Sequence, residues 1–180
     1  MKRLNDLLDD VRVIEIVGGN PTIASLEYDS RRVGKDGCFF AVVGTASDGH
    51  DYIPAAIERG ASAVVCQHLP ADVVEGVTYI VVEDSNTAMA AMAAAFYDHP
   101  TLELKLVGVT GTNGKTTTAT LLYDMFMAMG YKAGLISTVI YRIGERSIAS
   151  THTTPDAIRL NAMMREMVDE GCDYCFMEVS

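Results

Sequence analysis

The chain has 180 residues, 49% of them apolar and 21% charged, and a formal net charge of −10. That length holds one large domain or two small ones, and the composition is that of an ordinary globular protein. The acidic balance argues against loose binding to nucleic acid, which rests on many Lys and Arg contacts. No apolar run approaches the roughly 18 residues of a membrane helix, so membrane insertion is not expected.

The N-terminal "MKRLNDLLDD" turns acidic before any apolar core begins, which does not fit a signal peptide and makes the cytoplasm the expected compartment. Its "LNDLLDDV" reads as a short surface helix. From about Ile23 to Asp98 the pattern alternates strand and helix. "CFFAVVG", "SAVVCQ" and "TYIVVED" are strand candidates, and "YIPAAIERGA" is a short helix closed by Gly60. "SNTAMAAMAAAFYDHP" is a helix that Ser85 or Asn86 can cap, with Pro100 beyond its end. Between them, "SDGHDY" sets His50 beside Asp48 and Asp51. Asp-Gly marks a turn, so a polar loop is expected there rather than a metal site.

A second unit starts near Leu102. "LKLVGVT" is a strand running into a glycine-rich loop, and "KTTTATLLYDMFMAMG" is a helix. Leu121, Leu122, Met125, Phe126 and Met129 are expected on its inner face, and Gly130 ends it. "KAGLISTV" is the next strand, and "VIYRIGERSIAS" is a hairpin turning at Gly144. "TTPDAIRLNAMMREMVDEG" is a helix with Thr154 as cap, Pro155 at its first position and Gly171 at its end. "DYCFMEVS" is apolar on both faces, as in the middle of a parallel sheet. This order defines a doubly wound nucleotide-binding α/β core. A chain stopping at Ser180, on a central strand, reads as the first part of a longer protein. Cys172 and Cys175 form C-x-x-C, but no second ligand pair lies near, and Cys175 sits in an apolar run, so buried thiols are expected.

The loop "GVTGTNGKTTT", Gly108–Thr118, carries the strongest signal. The common phosphate loop sets its two glycines five apart before Lys-Ser/Thr. Here Val109 occupies that place, and the glycines, Gly111 and Gly114, are three apart. The mechanics are unchanged. The glycines allow close backbone approach to phosphate oxygens, and the helix points its N-terminal N–H groups at the anion. Lys115 can reach the β- and γ-phosphates, and the Thr116 hydroxyl can ligate Mg²⁺. Glu178, near the carboxyl end of its strand, is placed to serve the same ion directly or through water. In "HTTPD", Thr153 and Thr154 open a helix that could hold a carboxylate or phosphate, though taken alone simple capping by Thr154 is the better account.

Together these motifs resemble the Mur ligases, the ATP-dependent enzymes that build the peptide stem of bacterial peptidoglycan. The run "YDSRRVGKDGCFFAVVGTASDGHDYIPAAIERGASAVV" is similar to their UDP-sugar-binding domain. "TTPDAIRLNAMM" followed by "FMEVS" resembles the diamino-acid-adding type (MurE) more than the D-alanyl-D-alanine-adding type (MurF) or the folylpolyglutamate synthetases. The resemblance implies two parts: residues 1–101 as an α/β domain for the UDP-muramoyl substrate, and residues 102–180 as the first part of the central ATPase domain. It implies ATP at Gly111, Thr112, Asn113, Gly114, Lys115, Thr116 and Thr117, and Mg²⁺ at Thr116 and Glu178. Lys115 and Glu178 would be the catalytic groups. Ser30 would bind the UDP-linked substrate, with Thr45 to Ser47 beside its nucleotide, and Thr153, Thr154 and Ser180 would contact the muramoyl-peptide end. The implied reaction joins meso-diaminopimelate or L-lysine to UDP-N-acetylmuramoyl-L-alanyl-D-glutamate through an acyl phosphate, in a monomeric enzyme. A nucleotide-binding module without ligase activity is the reading from another class. The 180 residues alone are not expected to turn over.

Overall fold

The computed structural model describes residues 1–45, 47–149 and 155–179. Contacts divide the chain into two compact units, Met1–Phe96 and Tyr97–Ser180.

The first unit is built on a five-stranded sheet. Its strands in chain order are β2 (Val13–Val17), β4 (Ser25–Glu27), β5 (Gly37–Phe40), β6 (Ala61–Cys66) and β7 (Thr78–Val82). Their spatial order is β2-β7-β6-β5-β4, parallel except for β2, which runs antiparallel along β7. A small pair, β1 (Lys2–Arg3) with β3 (Thr22–Ile23), lies apart from it. The inner strands β5 to β7 are buried on both faces, which explains their unbroken apolar runs. Helix α1 (Ile53–Glu58) ends before Gly60, whose φ of +110° suits glycine. Helix α2 (Ser85–Phe96) packs Met89, Met92 and Ala93 inward.

Several expectations needed correction here. "LNDLLDDV" forms only one 3-10 turn, Leu4–Leu7, and both leucines are fully buried, so it anchors the N-terminus instead of lying on the surface. The α2 cap is Asp84, whose Oδ1 accepts from the Thr87 N–H at 2.8 Å. Ser85 is already inside the helix. Strands β2 and β4 were not anticipated, because β2 alternates poorly and β4 is three residues long.

The second unit has a sheet in the order β11-β10-β9-β12-β8, made from β8 (Lys105–Val109), β9 (Ala133–Ile136), β10 (Ile140–Ile143), β11 (Arg146–Ala149) and β12 (Tyr174–Glu178). Strand β12 lies between β8 and β9 and is parallel to both, as its two-sided apolar pattern requires. The β10–β11 hairpin turns at Gly144, φ +52°. Helix α3 (Lys115–Ala128) covers one face of the sheet, packing on Leu135 and Phe176. Helix α4 (Ala157–Asp169) covers the other, packing on Ile136 and Cys175. This is the doubly wound arrangement.

The buried stripe of α3 is Ala119, Leu122, Tyr123 and Phe126, at helical spacing. Leu121, Met125 and Met129 were expected inside but are 62%, 48% and 62% exposed. Tyr123 takes the inner place because its hydroxyl reaches the Gly144 carbonyl at 2.6 Å beneath the hairpin. Helix α4 begins two residues later than expected. Asp156 is its cap, accepting from the Arg159 N–H at 2.8 Å, and Pro155 lies before the helix. All four cysteines are buried thiols. Burial holds Cys175 up at about 12 and Cys66 at about 11, so neither is a reactive thiolate near neutrality. Among the described residues no helix is long and apolar enough to cross a membrane.

Candidate nucleotide and substrate sites

In the second unit three strand ends converge. Strand β8 ends at Val109 and hands the chain to the glycine loop. Gly111 and Gly114 have φ of +146° and +78°, a region side chains rarely adopt. Gly114 is the N-cap of α3, and among the described residues no side chain caps that helix. Its first-turn N–H groups therefore keep their donors for a ligand. A Cβ at Gly114 would meet nothing within 4 Å, so the backbone there faces open space. The Lys115 ammonium donates to the Gly111 carbonyl at 2.8 Å, clasping the loop.

Strand β12 brings Glu178. Because side chains alternate along a strand, Tyr174, Phe176 and Glu178 share the α3 face, and Glu178 arrives beside the first turn of that helix. The Thr116 hydroxyl donates to Glu178 Oε2 at 2.8 Å. Just past β9, the Thr138 N–H and hydroxyl both donate to the same oxygen at 3.2 Å. Thr138 was missed at the sequence level, where nothing but its place one residue past Ser137 in "LISTV" marked it. Burial acts to raise the pKa of Glu178. The hydrogen bonds from Thr116 and Thr138, with the Lys115 charge, outweigh it and hold the carboxyl below its usual range. Glu178 is therefore an anion at neutral pH, buried to 8% exposure and next to a hydroxyl oxygen. Hard oxygen donors of this kind suit Mg²⁺. Thr112, Asn113 and Thr117 are exposed on the same loop and helix end. Thr153, Thr154 and Ser180 lie outside the described residues.

In the first unit, a cleft of about 740 Å³ opens at the carboxyl edge of the parallel strands. Ser30 follows β4 there, in a 3-10 turn (Ser30–Arg32) capped by Asp29. Ser47 and Gly49 line it from the segment after β5, and Tyr28, Tyr52 and Arg59 complete the wall. Asp29 takes two hydrogen bonds from the Arg31 guanidinium, at 2.9 and 2.8 Å. That pairing, against the opposing effect of burial, lowers the carboxyl to about 2. Of the segment Thr45 to Ser47, Ser47 reaches the cleft and Ala46 lies outside the described residues. His50 turns away from solvent and binds Asp48 and the Gln67 backbone. Among the described residues no group of three metal-type side chains assembles. Tyr28, Tyr52 and Arg59 were not singled out from sequence, because only the fold gathers them beside Ser30.

The second unit is thus a doubly wound α/β unit of the phosphate-loop class. Residues 109–180 match the family described as the Mur ligase middle domain, and residues 22–97 match the Mur ligase family, catalytic domain. The chain belongs to the Mur ligase family. It is 51% identical over 179 residues to the UDP-N-acetylmuramoyl-L-alanyl-D-glutamate–2,6-diaminopimelate ligase of Bacteroides fragilis, covering 99% of this chain and 37% of that protein. With the ligase of the same name from Clostridioides difficile it shares 43% identity over the same shares. The chain therefore spans little more than a third of the length of these curated relatives. Among solved structures, a ligase of that name superposes with a TM-score of 0.72 at 23% identity, covering 88% of this chain and 32% of the other. The MurF ligase of Thermotoga maritima, in complex with ADP, gives 0.55 at 22% identity, covering 86% and 31%. These two likenesses bear on the fold.

Proposed function

We propose that this chain supplies the UDP-substrate-binding and ATP-binding parts of a cytoplasmic, monomeric ligase. That ligase joins 2,6-diaminopimelate to UDP-N-acetylmuramoyl-L-alanyl-D-glutamate. The observation that carries the proposal is the Thr116–Glu178–Thr138 cluster at the mouth of the glycine loop, in a chain about half identical to ligases of that name. The identity near 50% favours the diaminopimelate-adding type over the D-alanyl-D-alanine-adding one. Residues 1–101 would hold the UDP-linked substrate, and residues 102–180 would open the ATPase domain.

A carboxylate does not condense with an amine, because its oxygen is a poor leaving group. Moving the γ-phosphoryl of ATP onto it makes an acyl phosphate that the amine can attack. Such a transfer needs positioning and charge neutralisation rather than a protein nucleophile. The backbone from Gly111 to Thr117 would cradle the triphosphate. Lys115 would leave the Gly111 carbonyl and turn to the β- and γ-phosphates. Thr116 and Glu178 would hold Mg²⁺, which supplies charge neutralisation when bound. Thr138 would keep Glu178 aimed and ionised. In the first unit, the Ser30 hydroxyl and Arg59 suit the diphosphate, and the rings of Tyr28 and Tyr52 suit a pyrimidine base. Thr153, Thr154 and Ser180 would meet the muramoyl-peptide end.

Calorimetric titration of the chain, separately with ATP and Mg²⁺ and with UDP-N-acetylmuramoyl-L-alanyl-D-glutamate, tests the reading. Two independent binding events are expected. Folded protein that takes up neither ligand would rule it out.

A further inference from the structure

We infer that His50 is a positioning residue for the first-unit cleft, holding the wall formed by Ser47 and Gly49 through hydrogen bonds at both ring nitrogens. The inference rests on the reading of that cleft as the UDP-substrate site. After β5 the chain folds back on itself. The Gly44 N–H donates to the Ser47 carbonyl at 3.0 Å, and the Gly49 N–H donates to the Val42 carbonyl at 2.9 Å. Nothing in these two bonds ties the folded loop to the rest of the sheet. His50 does so. Its Nδ1 lies 2.6 Å from Asp48 Oδ1, and its Nε2 accepts the Gln67 N–H at 2.9 Å, one residue past the end of β6. The side chain is only 7% exposed, and its ring stacks on His68 at 4.1 Å between centroids and 9° between planes.

These partners specify one protonation state. Gln67 donates, so Nε2 must carry a lone pair, and Asp48 accepts, so Nδ1 must carry the proton. The titratable groups in contact with the ring are Asp48, from the loop before it, and His68, from the segment after β6. The ring therefore bridges the loop to the end of β6, with Asp48 on one nitrogen and the Gln67 backbone on the other.

The experiment uses the full 180-residue chain, with UDP-N-acetylmuramoyl-L-alanyl-D-glutamate as the probe. His50→Ala is expected to weaken the probe by about tenfold, as the loss of a buried hydrogen-bonded tether implies. In His50→Gln the amide oxygen can still accept from Gln67, and binding recovers. Unchanged binding by His50→Ala, or His50→Gln as weak as His50→Ala, overturns the inference. If the wild-type chain ignores the probe, the reading of the cleft fails instead. Amide exchange then decides His50 on its own: the Gln67 N–H should exchange faster in His50→Ala than in wild type or His50→Gln. Equal protection in all three proteins overturns it.

Discussion

Thr116 and Glu178 stand 62 residues apart in the chain and 2.8 Å apart in the fold, hydroxyl to carboxylate, where the first turn of α3 meets the end of β12. In the proposed reading this contact is the pair that would hold Mg²⁺, built from two elements distant in the chain. Glu178→Gln keeps the shape and removes the charge. We expect its affinity for ATP with Mg²⁺ to fall by about 10- to 100-fold, in line with losses at other metal-supporting carboxylates. Affinity for ATP in excess EDTA should hardly change. Titration calorimetry with and without the metal checks the difference, and equal losses in both would remove Glu178 from the ion.

Lys115→Ala should abolish ATP binding and leave the affinity for UDP-N-acetylmuramoyl-L-alanyl-D-glutamate unchanged, because the loop and the Ser30 cleft belong to separate compact units. Parallel titrations of the variant with both ligands give the answer. A large loss at the second ligand would show that the division of labour is wrong.

Asp29 gives a pH signature. Its folded pKa, about 2, is below the ordinary 3.8, chiefly because Arg31 hydrogen-bonds the ionised form. A depressed carboxyl stabilises the fold above its unfolded pKa, and the contribution disappears as pH falls from about 3.8 to about 2. Arg31 is well exposed, so solvent screening limits the contribution to about 1 kcal/mol or less. Asp29→Asn should be slightly less stable than wild type at pH 6, with the gap shrinking as pH falls through about 2. Urea midpoints across that range would reveal it, and a constant gap at all pH values would contradict the assignment.

Gly49 is a glycine for lack of room. A Cβ there would meet the Val42 nitrogen at 2.5 Å and its carbonyl oxygen at 2.6 Å, and backbone atoms cannot step aside cheaply. Gly49→Ala should cost about 1–3 kcal/mol, the usual range for overpacking, and should weaken the UDP-linked substrate as well. Denaturant unfolding measures the first effect and titration the second. A variant as stable as wild type would mean that the fold-back after β5 is looser than drawn.

Much of this molecule could be read before any coordinates existed. The strand–loop–helix at Gly108–Thr118, the hairpin at Gly144 and the central place of "DYCFMEV" all follow from local rules of period, turn chemistry and two-sided burial. Caps were read less well, because Asp84 and Asp156 each lie one or two residues from an equally good candidate, and neighbouring backbone geometry selects between them. The inner face of α3 was misjudged for a similar reason. Leucine and methionine outrank tyrosine in apolarity, yet Tyr123 has a buried carbonyl to bond and Leu121 is left 62% exposed.

The sequence by itself determined most of the elements and the strand–glycine loop–helix unit, since both depend on residues close together along the chain. Only the tertiary structure decided that Thr138 would steady Glu178, that Tyr28, Tyr52 and Arg59 would gather beside Ser30, and that His50 would fasten a loop to β6. Those contacts join residues brought together by the pairing of distant strands. A strand's own pattern fixes which face it buries, but which distant strand it lies beside is settled only in the assembled sheet.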